Sequence, residues 1–121
     1  MEKIIKLIKE IKAEAIPQKK ENMIMLLPEC IQEILLEIKN CENIQDTDYY
    51  FSIIENAQCL VSIIISEDKI ELPDTLWKLY KDFDRIDDKE WREYLFNKIK
   101  NGNYSLNGKP ALYDPFPNKI L

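Results

Sequence analysis

The side chains with the most chemical potential in this sequence are carboxylates. Glu29, Glu33 and Glu37 recur every four residues within NMIMLLPECIQEILLEIKN, and Glu42, Asp46 and Asp48 follow closely, with Tyr49 and Tyr50 directly after them. Carboxylates at this density can run acid–base chemistry in pairs, hold a metal, or attract a cationic partner.

The first two uses find little support in the rest of the chain. There is no histidine, which removes the commonest base near neutral pH together with most zinc sites and nucleophile–base arrangements. Cys30, Cys41 and Cys59 are odd in number, contain no close pair and fall in or beside apolar stretches, so they are expected to be packing residues, with neither a disulfide framework nor a zinc site. Asp82, Asp84, Asp87 or Asp88, Glu90 and Glu93 echo a calcium loop, but Ile86 stands at the fifth position and Asp87 where the sharp turn needs glycine. Helix capping and pairing with Lys81, Arg85, Lys89 and Arg92 is the expected role of those acids. No catalytic residue, metal ligand or cofactor is assigned, and the chain reads as a non-enzyme.

The third use fits the row better. Like charges four residues apart on a helix cost a few tenths of a kcal/mol per pair, roughly. Glu29 gains from the helix N-terminus, but Glu37 lies near the unfavourable end of the dipole. Local stability therefore does not account for the row. A solvated face maintained for solubility would use the same residues. The sharper expectation is an acidic wall of Glu29, Glu33, Glu37, Glu42, Asp46 and Asp48, with Tyr49 and Tyr50 as aromatic anchors. Acid around aromatic suits a protein that grips a basic cleft, because charge speeds the encounter and buried anchors slow release.

Charge along the chain is uneven in the same sense. Residues 23 to 76 hold Lys39 and Lys69 against eleven acidic groups, whereas the flanking stretches each carry a slight positive excess, within a total of −5. Direct contact with nucleic acid is improbable for such a middle, which lacks clustered Lys and Arg.

The elements that must position these residues read as helices. At 121 residues the chain suits one domain, and its only glycines are Gly102 and Gly108, so a hundred residues lack the sharp turns of a stranded sandwich. A first amphipathic helix carries Ile4, Ile5, Leu7, Ile8, Ile11 and Ala15 and is stopped by Pro17. A second, opened by Pro28 in its first turn, buries Ile24, Leu27, Ile31, Ile34, Leu35 and Ile38. A third, capped by Asp46, Thr47 or Asp48, carries Tyr50, Ile53, Ile54, Ala57, Leu60, Val61 and Ile64 and is apolar enough to be surrounded by the others.

A fourth, capped by Asp74 or Thr75, turns Leu76, Trp77, Leu79, Tyr80 and Phe83 inward. A fifth opens at Asp87 or Asp88 and carries Trp91, Tyr94, Leu95 and Ile99, with Gly102 at its end. Residues 59–72 admit an alternative β-hairpin, since Val and Ile runs favour strands. Residues 101–121 form a non-helical cover segment, with a turn at Asn107-Gly108 and Pro110, Pro115 and Pro117 excluding helix. The fold expected is thus an all-α bundle of about five helices, or α+β if the hairpin forms. Charges interrupt every apolar run before about 20 residues, so no membrane span is expected.

Size, acidity and lack of chemistry together favour a small cytosolic binding protein that neutralises a basic protein by occluding its active site, as an immunity protein or antitoxin does to a toxin, a nuclease being one such target. A nucleic-acid-mimicking inhibitor of a DNA- or RNA-binding enzyme is the alternative, and a structural oligomerisation module a third. The oligomeric state is not encoded in any motif.

Overall fold

The computed structural model describes residues 2–68 and 73–106, and within them the chain is all-α. The helices are α1 (Glu2–Ala13), α2 (Pro17–Ile24), α3 (Leu27–Asn40), α4 (Asp48–Asp68), α5 (Asp74–Phe83) and α6 (Lys89–Lys100), and one 3₁₀ turn (Ile44–Thr47) leads into α4. The hairpin alternative fails, because α4 runs unbroken to Asp68. Leu60, Val61 and Ile64 are buried at helical spacing, so packing overrides the strand preference of the Val and Ile run. By length and composition alone Ile44–Glu67 would reach across a membrane. Its apolar side chains instead pack on α1, α3 and α5, as in a core helix.

Pro17 opens a helix of its own. It occupies the first turn of α2, where a missing N–H costs nothing, so the chain bends after α1 and then continues helically. Apolar periodicity could not reveal α2, because Ile24 is the one buried residue in it. Pro28 does sit in the first turn of α3, as the sequence suggests.

The stripe Leu27, Cys30, Ile31, Ile34, Leu35 and Ile38 buries α3 against α1, α4, α5 and α6. This makes α3 the hub, and α4 is less enclosed than its composition suggests. Ser52, Asn56, Cys59 and Ile63 form an open stripe along α4, with Ile63 51% exposed. Neighbours on its other sides leave one face without cover.

Trp77 also departs from expectation. It remains 39% exposed, its ring stacked on Tyr80 at 5.6 Å with the Lys81 ammonium 5.5 Å from its centroid. The inward face of α5 is Leu76, Leu79 and Phe83, all fully buried. Its N-cap is Pro73, whose carbonyl accepts from Trp77 N–H, so Asp74 contributes through the dipole and not as a side-chain cap. Thr47 likewise bonds the Ile44 carbonyl and does not cap α4.

Asp88 does cap α6, accepting from the N–H groups of Glu90 and Trp91. At the other end Gly102 adopts φ +73° while its N–H reaches Ile99 O and Asn103 N–H reaches Lys98 O, the paired bonds of a Schellman motif. The chain then returns to the core. Tyr104 donates to Asp82 Oδ2 at 2.8 Å, Lys78 pairs with the same oxygen at 3.0 Å, and Leu106 is fully buried. The expected turn at Asn107-Gly108 and the rest of the cover segment lie outside the described residues.

Phe83 joins three parts of the core, meeting Phe51 of α4 and Tyr104 with ring centroids 6.3 Å apart in each case. Phe83→Ala is expected to lower unfolding free energy by about 3–5 kcal/mol. Gly102→Ala should cost only about 1–2 kcal/mol, since it meets backbone strain without a clash. Denaturant titration of both variants checks the order.

Candidate functional site

Glu29, Glu33 and Glu37 project from α3 on the side away from its buried stripe, and all three are exposed. None forms an ion pair among the described residues. Glu42 and Asp46 are exposed in the connection that follows. Cys41 ties that connection to the end of α3, because its thiol lies 3.3 Å from Glu37 O and 3.8 Å from Asp46 O. Glu37 and Asp46 therefore sit on either side of one thiol. Burial first, then the charges of Asp46 and Glu37, push that thiol up, against the opposing pull of Lys100.

The remaining three proposed residues divide. Asp48 is ion-paired with Arg92 of α6, whose guanidinium lies 5.0 Å from the Phe51 centroid, so its charge is already used in joining α4 to α6. Tyr49 is 58% exposed, but Tyr50 is half-buried and packs on the core; their rings are 5.9 Å apart. All five carboxylates from Glu29 to Asp46 are thus exposed, and Tyr49 is the one open aromatic of the set.

Two apolar features of this face are not evident from the acidic row itself. Leu36 is 59% exposed between Glu33 and Glu37, and Leu26 is 52% exposed at the N-cap of α3. The wheel of α3 carries the signal, since both leucines fall off the buried stripe.

A second acidic group lies in a cleft between α4 and the α5–α6 connection, lined by Glu55, Cys59, Ile63, Asp84 and Asp87. Sequence spacing gives no hint of it, because the acids come from separate elements. Gln58, 4% exposed, donates to Ser62 Oγ at 2.8 Å and to Asp84 Oδ1 at 3.1 Å. Burial raises the Glu55 carboxyl, Asp87 raises it further by charge and hydrogen bond, and Arg92 opposes both.

Cys59 is exposed, contrary to the expected packing role, because it stands on the open stripe of α4. Burial first, then Glu55, Asp84 and Asp87, still push its thiol up, and Cys30 is raised chiefly by burial. None of the three thiols is primed as a nucleophile. Among the described residues no group of three or more His, Cys, Asp or Glu is arranged to hold a metal. The acids of the calcium-loop echo are engaged otherwise, Asp82 with Lys78 and Tyr104, and Asp88 as a cap.

Both acidic surfaces are therefore suited to recognition. A family model described as Immunity protein CdiI-like matches residues 1–101. The chain belongs to the CdiI-like immunity protein family. No curated protein and no solved structure matches it. The matched span includes all six helices and both acidic groups of this CdiI-like protein. Membership of this family implies a toxin as the binding partner, and immunity proteins of the family are generally non-enzymatic.

The Glu55–Asp87 contact makes a measurable prediction. Glu55 is held above its ordinary value of 4.5, so the native state binds this proton more tightly than the unfolded chain. Its contribution to stability is present below that value and is lost as pH rises through the folded pKa. Asp87→Asn removes the neighbouring charge, and the Glu55 carboxyl should then titrate lower by carbon-detected NMR. An unmoved titration would show that the two carboxyls do not interact.

Proposed function

We propose that this immunity protein binds a basic toxin through the exposed face of α3 and the connection after it, and blocks the toxin's active site. One observation carries the reading: Glu29, Glu33, Glu37, Glu42 and Asp46 are each exposed, with no cation of the described residues ion-paired to them. In an isolated helix such a row is mildly unfavourable, and a positively charged partner turns it into an attraction. Tyr49, exposed one position after Asp48, supplies an aromatic contact at the edge of the same surface. A nuclease fits as the toxin, since an enzyme that binds phosphates needs a basic cleft. The protein would act in the cytoplasm, where it meets the toxin before the toxin reaches its target, and its free cysteines suit a reducing compartment.

Mimicry of nucleic acid is less well supported. Glu29 to Glu37 spans only ~12 Å of helix axis at 1.5 Å per residue, too short to imitate an extended phosphate backbone.

Surface plasmon resonance against the toxin, at several salt concentrations, tests the proposal. Glu33→Lys combined with Glu37→Lys should slow association by about tenfold or more and flatten its salt dependence. Unchanged association and an unchanged salt slope would refute the α3 face as the binding surface.

A further inference from the structure

The exposed side of α3 is acidic but not uniformly so. Leu26 and Leu36 stand open on it, 52% and 59% exposed. Ten residues at 1.5 Å rise place them ~15 Å apart along the axis. Glu29 and Glu33 lie between them on the same face, and Glu37 adjoins Leu36. The pattern along the face is therefore apolar, acid, acid, apolar, acid.

Beside Leu26 a groove of about 220 Å³ opens between α1 and α3. Its floor is Leu7 and Cys30, which are 7% and 3% exposed. That volume lies below the roughly 300 Å³ at which small-molecule sites begin, and suits one inserted side chain. The rim is charged, with Glu29 on the α3 side and Lys3, Lys6 and Glu10 on the α1 side, where Lys6 and Glu10 pair at 4.0 Å.

Resting on the α3 face as the toxin-binding surface, we infer that the toxin presents to it two apolar side chains ~15 Å apart with basic side chains between them. The first apolar side chain enters the α1–α3 groove, and the second covers Leu36. Charge complementarity fixes this occupant, because a segment laid along α3 must meet Glu29 and Glu33 between the two leucines. Charge governs the rate of encounter and its salt dependence, whereas desolvated apolar contacts govern release.

The test uses the full chain and its purified toxin partner in an inactivated form, measured by surface plasmon resonance at low and high salt. Leu26→Ser and Leu36→Ser leave net charge unchanged and alter exposed positions, and circular dichroism confirms that both fold. Each should raise the dissociation rate by about tenfold, with the association rate and its salt slope within about twofold of the parent. Leu26→Met and Leu36→Met should restore slow release, since methionine refills an apolar contact. Unchanged release in the serine variants, with association still slowed by Glu33→Lys and Glu37→Lys, overturns the two-anchor inference and leaves the acidic face standing. No effect from either set overturns both. Sedimentation showing a dimer of the chain that the serine variants abolish would assign the leucines to a second copy and likewise overturn the inference.

Discussion

Burial of one apolar stripe on α3 constrains everything around it. Leu27, Cys30, Ile31, Ile34, Leu35 and Ile38 bring α1, α4, α5 and α6 onto a single helix. A fully buried leucine or isoleucine contributes about 1.5–3 kcal/mol, so this helix cannot rotate to hide another face without losing much of the fold's stability. The face opposite the stripe is thereby committed to solvent, and the carboxylates stand there. Their exposure is a consequence of the core's geometry.

Several of the basic side chains are used elsewhere. Arg92 fastens α6 to Asp48, Lys78 holds Asp82 beside Tyr104, and Lys100 bonds the Cys41 carbonyl at the end of α3. Each of these ties joins separate parts of the chain. The basic excess of the C-terminal third thus supports the scaffold, and the acidic excess of the middle is left outward-facing on a rigid element. A surface held in place in this way loses little conformational freedom when it is covered, which favours tight association.

Much of this was legible in the residues and some was not. Helical spacing gave α1, α3, α4, α5 and α6, because each carries an apolar stripe that only a bundle can bury. It missed α2, which rests on one buried residue and a proline at its start. It overstated the enclosure of α4 and the burial of Trp77, since composition reports how apolar a helix is but not how many neighbours reach it. The exposure of Glu29, Glu33 and Glu37 followed from their charge and from their place off the apolar stripe of α3. The loss of Asp48 to Arg92, forty-four residues away, did not, because that contact depends on how α6 docks. The Glu55, Asp84 and Asp87 cleft was invisible for the same reason.

The two tryptophans occupy contrasting surroundings. Trp91 is 6% exposed, donates from Nε1 to the Asp82 carbonyl, and lies under the Arg85 guanidinium at 3.8 Å. Trp77, on the outer side of α5, meets water. Small aqueous quenchers will reach the second indole and spare the first, so the native chain carries a solvent-facing fluorophore beside a shielded internal reference. Any macromolecule settling over α5 would dim the difference between them, and one settling elsewhere would not.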